Sequence, residues 1–182
     1  EGKNFTLSMG VSEELSISIN GLNIPHAIVD RDLDLTVAQD RNAIPTAVIQ
    51  KECGNALTYT QVSMVNRGSF GMAVNLHFSL GRENAGKYAN MYRYDVQTGK
   101  LVYAGSFPVT DKGQAMFCIG GGADYLITVT EAQPDHSYTV VKGDTLIRIA
   151  ARFGIRVNDL FEANPQIRNK NRIYVGEKIK LP

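Results

Sequence analysis

The chain has 182 residues, of which 43% are hydrophobic and 20% charged, and its formal net charge is +1. These values are typical of a globular protein, and the small net charge excludes a polyelectrolyte that binds nucleic acid through its overall charge. No apolar run approaches the roughly 18 residues that cross a bilayer, so we expect no membrane insertion. No basic segment followed by an apolar stretch opens the sequence, so we expect a mature or trimmed chain.

The charge is divided unevenly along the sequence. Residues 1–132 carry 10 Lys and Arg against 13 Asp and Glu, a balance of −3. Residues 133–182 carry 9 against 5, a balance of +4. This split predicts two structural units with different surfaces, although neither balance by itself identifies a partner.

Short runs of alternating apolar and polar residues fill the first 132 positions and predict half-buried strands. These runs cover residues 5–9, 15–19, 33–37, 47–49, 57–65, 72–80, 88–94, 101–109, 115–119 and 125–129. Turn residues stand at 20–21, 66–68, 98–100 and 111–113, and the glycines 120–122 predict a flexible turn. No ten-residue segment here has helical periodicity. About ten strands in about 130 residues predict an antiparallel β-sandwich, whose simplest interpretation is a structural or spacer domain.

The periodicity changes at Pro134, and we predict a linker over residues 133–137 and a second domain over residues 138–182. Residues 138–141 are strand-like, and the apolar residues that follow repeat at helical spacing. Asp144 precedes this helix and is expected to cap it with its carboxylate. Gly154 is placed to end the helix in the left-handed conformation.

A second helix and a closing strand complete this unit. Val157, Leu160 and Phe161 form a short helical stripe, which ends before Pro165 because the residue preceding proline is steered away from helical angles. Lys178–Leu181 alternates again. The fold class is therefore multidomain: an N-terminal all-β antiparallel sandwich over residues 1–132, and a small C-terminal α+β module with the order β-α-α-β.

Two stretches of the second unit carry a family resemblance. The segment YTVVKGDTL at 138–146, with Ile149-Ala150 and Phe153-Gly154 after it, resembles the opening of a LysM repeat. The segments ANPQI at 163–167 and IYVGEKIKLP at 173–182 resemble its second half. The resemblance implies a domain that needs no cofactor and binds glycans containing N-acetylglucosamine, chiefly peptidoglycan or chitin.

The resemblance also places a candidate site. In LysM domains the ligand lies in a shallow groove between two loops, which correspond here to residues 143–146 and 164–167. Loop backbone and polar side chains would bind the N-acetyl amide, while Leu146 and Ile167 would line a pocket for its methyl group. The candidate glycan-binding residues are Gly143, Asp144, Thr145, Leu146, Asn164, Pro165, Gln166 and Ile167.

Several of these residues also have a structural interpretation. Asp144 is the expected helix cap, Asn164 suits a turn or helix end, and Leu146 suits the core. Departures from the family pattern add two expectations. Ile147 replaces a frequent aromatic residue and predicts weaker stacking on a sugar, and Arg156 replaces the usual Ser or Thr cap, so the second helix should start less firmly. Val175 stands where a proline is common.

A catalytic site is not predicted. The three histidines His26, His77 and His136 lack the spacing of zinc ligands, and no Gly-x-Ser-x-Gly segment is present. The clustered carboxylates of the first unit are Glu13, Glu14, Asp30, Asp32 and Asp34. Of these, the three aspartates alternate along one strand edge and suit a solvated face, although the separation between two carboxyl groups cannot be read from sequence.

Cys53 and Cys118 are the two cysteines of the chain. They do not form a CxxC motif and are too few for a disulfide framework. Three interpretations remain open at this stage. The cysteines are a pair of buried free thiols, because free cysteine is among the most buried residue types, or a single disulfide, or reactive thiols.

The expected function is non-catalytic binding of a glycan that contains N-acetylglucosamine, above all peptidoglycan, to anchor a secreted protein to a bacterial cell wall. A looser resemblance of residues 88–95, 98–101 and 123–127 to β-sandwich segments of secreted Gram-positive surface proteins supports an extracellular setting. The alternative is the wall-targeting tail of a peptidoglycan hydrolase, whose catalytic part is absent or unrecognised in residues 1–132.

Overall fold

The computed structural model describes residues 5–25, 32–38, 43–54, 56–153 and 155–182. Within them the large sheet contains β1 Thr6–Gly10, β2 Leu15–Asn20, β3 Val37–Ala38, β4 Thr58–Ser79, β5 Tyr88–Asp95, β6 Lys100–Pro108 and β7 Gln114–Thr130. A small sheet contains β8 His136–Thr139 and β9 Lys178–Leu181. The helices are α1 Thr46–Glu52, α2 Leu146–Phe153 and α3 Val157–Glu162. In this described part, no helix has the length and apolar character needed to span a membrane.

The large sheet is antiparallel and folds over on itself. Its strand order is β1-β2-β4-β7-β5-β6, with β3 also paired to β4. The register between β4 and β7 shifts twice within residues 63–74, and such irregularities bend strands sharply. Phe107 of β6 contacts Phe117 in the first half of β7, with ring centroids 5.4 Å apart, although β6 is paired in the sheet with β5 and not with β7. The two halves therefore pack face to face, and the expected sandwich is confirmed.

One hydrophobic core joins the two halves. Ile17 of β2 lies opposite Leu76 of β4, which lies opposite Phe117 of β7, and all three are almost fully buried. Met91 of β5 and Ile127 of β7 come from the other half and belong to the same cluster. Each such burial contributes about 1.5–3 kcal/mol, which explains why the strands alternate so regularly.

The structure corrects two of the predicted turns. Residues 66–68 lie inside β4 and the glycines 120–122 lie inside β7, so four predicted strands merge into two long ones. A Cβ atom at Gly122 would collide with the carbonyl oxygen of Asn66, and one at Gly121 would collide with that of Gly68. The glycines are therefore explained by the close approach of β7 to β4 at the bend, rather than by a chain reversal.

Residues 47–49 were predicted as a strand and instead belong to helix α1. A three-residue apolar run is too short for its period to separate strand from helix, and at seven residues α1 is shorter than the ten-residue window that showed no helical periodicity. Pro45 sets the first turn, since its carbonyl accepts hydrogen bonds from Val48 and Ile49. Ile49 is buried, and its burial holds the helix against the sheet.

The predicted strand at residues 33–37 is reduced to Val37–Ala38. The Asp34 carboxylate accepts a hydrogen bond from the backbone N–H of Thr36 at 2.9 Å, which favours a local turn over an extended strand. Hydrogen bonding by the Thr36 side chain, and then by its backbone N–H, lowers the pKa of Asp34. Asp34 and Asp32 are exposed as expected. Asp30 and His26 lie outside the described residues.

The small C-terminal unit has the predicted order β8-α2-α3-β9. β8 and β9 pair antiparallel, and both helices bury their apolar residues against them. The buried hydrophobic residues of this unit are Val140, Leu146, Ile149, Ala150, Leu160, Ile167, Ile179 and Leu181. The same cluster includes Tyr92, Tyr103 and Leu126 of the large sheet, so the small unit packs on the outer face of β5, β6 and β7.

His136 occupies the junction between the two units. Its ring stacks on Tyr103 with centroids 3.9 Å apart, and its Nε2 lies 3.3 Å from the Tyr92 hydroxyl oxygen. The Tyr103 hydroxyl donates to the Pro182 carbonyl at 3.1 Å, and burial raises the pKa of this tyrosine. Both ends of the small unit therefore rest on the large sheet, and β8 begins within the segment 133–137 that was expected to be a linker.

Candidate functional site

The loop between β8 and α2 is closed by the side chain of Asp144. This carboxylate accepts hydrogen bonds from the Tyr138 hydroxyl at 2.7 Å and from the backbone N–H of Val141 at 2.9 Å. Gly143 supplies the left-handed turn with φ +91°, a conformation that favours glycine. The conformation of the loop is therefore fixed by hydrogen bonds from the residues that precede it.

The expectation that Asp144 caps α2 is wrong. Its carboxylate points back to β8, and Thr145 caps the helix instead, because the Thr145 hydroxyl accepts from the backbone N–H of Arg148 at 3.2 Å. Both residue types are common caps, so the sequence alone could not separate the two adjacent positions. Gly154, expected to end this helix, lies outside the described residues.

Asp144 is held ionised by its surroundings. The Tyr138 hydroxyl is the main reason that the pKa of Asp144 lies below its ordinary value, followed by the Val141 N–H group. An Arg152 nitrogen lies 3.8 Å from the carboxylate, and the Asp144 side chain is only 6% exposed. The Asp144 carboxylate therefore binds groups of the protein itself, and its role is structural.

The loop after α3 is organised by Asn164, which is fully buried. Its amide nitrogen donates to the carbonyls of Leu160 at 2.7 Å and Lys180 at 2.8 Å, and its oxygen accepts from the Lys180 N–H at 2.7 Å. These bonds connect the end of α3 to β9. Gln166 continues the network by donating from its amide to the Asn164 oxygen at 3.0 Å.

Of the eight candidate residues, Asn164 is buried and Asp144 is of intermediate exposure, and the other six form two groups. Leu146 and Ile167 are 1% and 3% exposed and belong to the same buried cluster, so the roots of the two loops meet in the core. Gly143, Thr145, Pro165 and Gln166 are exposed. The structure therefore brings the loops together through their buried residues and presents backbone and polar groups to solvent.

A set of exposed apolar side chains near the first loop was not identified from the sequence. The backbone N–H of Gly176 donates to the Val140 carbonyl at 2.8 Å, which places the loop of residues 174–177 beside the end of β8. Tyr174 and Val175 in this loop are 58% and 70% exposed. The available signal was the apolar run of residues 173–175 directly before Gly176, a position typical of a turn.

Most of the basic side chains in the small unit bind local partners. Arg152 donates to the Tyr138 hydroxyl, and Arg148 donates to the Gly143 carbonyl. Arg156 forms an ion pair with Asp159 at 2.6 Å. As expected, Arg156 gives no side-chain cap to α3.

Cys53 and Cys118 are half-buried and are not joined to each other by a disulfide. Burial raises the pKa of the Cys118 thiol. A raised pKa reduces the thiolate fraction at neutral pH, so this thiol is a weak nucleophile. Within the described residues, no group of three or more His, Cys, Asp and Glu side chains is arranged to hold a metal ion.

Comparison with known proteins adds a family and three relatives. The family model of the LysM domain matches residues 138–182. The chain is 26% identical over 156 residues to an endolysin of Bacillus phage B103, which covers 84% of this chain and 54% of the endolysin. It is 40% identical to a secreted LysM effector of Passalora fulva over 65 residues, which cover 36% of this chain and 28% of the effector. It is 50% identical to a chlorophenol reductase of Desulfitobacterium hafniense over 42 residues, which cover 23% of this chain and 13% of the reductase. The chain thus spans about half the length of the endolysin and less of the other two.

Proposed function

Because residues 138–182 are a LysM domain, we propose that this protein binds peptidoglycan through N-acetylglucosamine units and so attaches to a bacterial cell wall. The observation that carries the proposal is the family match over the whole β-α-α-β unit, including both loops of the candidate site. The similarity to an endolysin and to a secreted LysM effector supports an extracellular role at a glycan surface. Residues 1–132 would serve as a β-sandwich spacer.

The exposed loop residues would contact the sugar. Gly143 has no side chain, so a ligand can approach its backbone closely. The Gln166 amide is oriented by Asn164 and can hydrogen-bond a sugar hydroxyl or an N-acetyl carbonyl. Thr145 and Pro165 offer a hydroxyl and an apolar ring on the two sides of the groove. Such a site binds through shape and a few polar groups, without ionic contacts.

The buried candidates would hold the shape of the groove. Asp144 fixes the first loop and Asn164 fixes the second, while Leu146 and Ile167 join the loops in the core. We therefore expect substitutions of these four residues to act through stability and loop geometry. Among the exposed residues, substitutions of Pro165 and Gln166 should act mainly on affinity, whereas Thr145 also caps α2 and Gly143 also forms the left-handed turn.

A cosedimentation assay with insoluble peptidoglycan and insoluble chitin tests the proposal. The full chain should sediment with peptidoglycan, and Gln166→Ala should reduce the bound fraction several-fold, since one lost hydrogen bond costs about 0.5–1.5 kcal/mol. Gln97→Ala, in the exposed β5–β6 turn, is the matched control and should bind normally. Failure of the wild-type chain to sediment with either polymer would reject glycan binding, and sedimentation with chitin alone would reject peptidoglycan as the ligand.

A second candidate function is the targeting part of a wall hydrolase. The observation that favours it is the length of the endolysin match, since 156 residues exceed the LysM domain and include much of the large sheet. Incubation of the purified chain with peptidoglycan separates the two candidates. Release of reducing ends or free amines would establish hydrolysis, whereas binding without release supports the non-catalytic function.

A further inference from the structure

The face of the large sheet opposite the core carries uncharged polar side chains. The alternation that buries the apolar residues of β2 turns Ser16 and Ser18 to the other side. The register places Ser16 opposite His77, and His77 opposite Met116. Ser18 lies opposite Ser8 of β1. Antiparallel partners share one side of a sheet, so these residues form neighbouring rows on one surface.

A cavity of about 540 Å³ lies over this surface, beside the end of β6. Ser16, His77 and Met116 line it from the sheet, Ser8 from the edge strand, and Phe107 and Gln114 from the two arms of the β6–β7 connection. Its described lining contains no Lys, Arg, Asp or Glu. A charged ligand would lose its hydration here without gaining an opposite charge, so the lining favours a neutral ligand.

One polar group of this cavity is held in place by the protein, and three others can hydrogen-bond a ligand. His77 is oriented by Ser18, whose hydroxyl oxygen lies 2.7 Å from Nε2 and whose side chain is buried. The side chains of Ser8, Ser16 and Gln114 form no hydrogen bond with any described residue. Together they offer two hydroxyls and an amide, each of which can both donate and accept, and the second ring nitrogen of His77, which donates or accepts according to the tautomer.

Two apolar side chains complete the lining. Met116 is 48% exposed and Phe107 is 38% exposed. The Phe107 ring is held edge-on to the buried Phe117 ring, with centroids 5.4 Å apart, so its exposed surface is fixed in place. Fixed apolar surface next to neutral donors and acceptors matches a sugar ring, which has C–H faces and hydroxyl edges.

We propose that this cavity is a saccharide-binding subsite of the β-sandwich, specific for a neutral sugar unit. It lies in a different domain from the LysM loops and is independent of the function proposed for them. A chain with two sites would be retained on a polysaccharide more strongly than either site alone allows, because the second contact becomes intramolecular.

Amide chemical shifts of the full-length ¹⁵N-labelled chain test this subsite. The probes are cellohexaose, laminarihexaose and chitohexaose, each titrated into the millimolar range. At least one should shift the amide resonances of Ser16, His77 and Met116 in a saturable way. The inference is overturned if none of the three moves these resonances, or if every shift falls within residues 138–182. Shifts of residues 138–182 with chitohexaose report separately on the LysM site.

Two variants check that the cavity itself binds. Phe107→Ala and Met116→Ala should each weaken the saturable shifts about fivefold, since an aromatic or sulfur contact of this kind contributes about 0.5–1.5 kcal/mol. Met116 is half-exposed and outside the core, so its variant separates loss of binding from loss of folding. Tyr59→Ala, another exposed side chain of this domain, is the control. Unchanged affinity in both cavity variants would also overturn the inference.

Discussion

Asn164 and Lys180 exchange two hydrogen bonds in the manner of two paired strand residues. The Asn164 amide donates to the Lys180 carbonyl at 2.8 Å, and the Lys180 N–H donates back to the Asn164 oxygen at 2.7 Å. A side chain thus takes the place of a third strand beside β9. Because it also bonds the Leu160 carbonyl, it connects the end of α3, the second loop and the small sheet.

Replacement of Asn164 should therefore destabilise the LysM domain strongly. Asn164→Leu has nearly the same size but removes the partner of the buried Leu160 carbonyl and of the part-buried Lys180 carbonyl and N–H, and each buried group left without a partner costs about 1–3 kcal/mol. We expect a loss of about 3 kcal/mol or more in the free energy of urea unfolding. Asn171→Ala, at an exposed position of the same loop region, should change stability by less than about 0.5 kcal/mol. Equal stability of the two variants would contradict the structural role of Asn164.

The contact between Tyr138 and Asp144 predicts that the LysM domain loses stability at acid pH. The pKa of Asp144 is lower in the folded protein than its ordinary value of 3.8. A carboxyl group whose pKa falls on folding stabilises the native state above its unfolded pKa, and this contribution is lost as pH falls through the folded value. The melting temperature of the LysM domain should therefore drop below about pH 4, and Asp144→Asn should flatten that drop. Asp111→Asn, in the exposed β6–β7 turn, should leave the drop unchanged.

The junction between the two domains predicts a stability effect for Tyr103. Tyr103→Phe keeps the stack on His136 and removes the hydrogen bond to the Pro182 carbonyl, so we expect a loss of about 1 kcal/mol. Tyr103→Ala also removes the buried ring and should cost about 3–5 kcal/mol. Urea unfolding measures both, with Tyr59→Phe as the exposed control. If Tyr103→Ala unfolded like the wild type, the two domains would not be packed through this ring.

The strands and helices could be predicted from the spacing of apolar residues, because burial of one face of an element determines that spacing. Leu15, Ile17 and Ile19 alternate because one face of β2 is covered by the core. In α2 the spacing of Leu146 and Ile149 has the same origin. Such patterns predict the type of an element over a few residues, and the β-α-α-β order of the LysM domain was confirmed for this reason.

Features that depend on distant residues could not be predicted in the same way. Gly121 and Gly122 look like a turn in sequence, but β4 passes so close to them that no side chain fits. The partner of Asp144 is Tyr138, which lies back along the chain rather than in the following helix. Asn164 resembles a turn residue until β9, which ends the sequence, is placed beside it. In each case a tertiary contact decides the role of a residue whose local preference is ambiguous.

The last prediction concerns the cap of α2, which is formed by Thr145 and not by its neighbour Asp144. The Thr145 hydroxyl accepts from the Arg148 N–H, so Thr145→Ala should lower the stability of the LysM domain by about 1 kcal/mol. Thr145→Ser keeps the hydroxyl and should retain most of that stability. If Thr145 also contacts the glycan, the alanine variant should bind peptidoglycan more weakly at temperatures where it is fully folded. Binding that follows the folded fraction alone, measured by cosedimentation alongside circular dichroism, would limit Thr145 to a capping role.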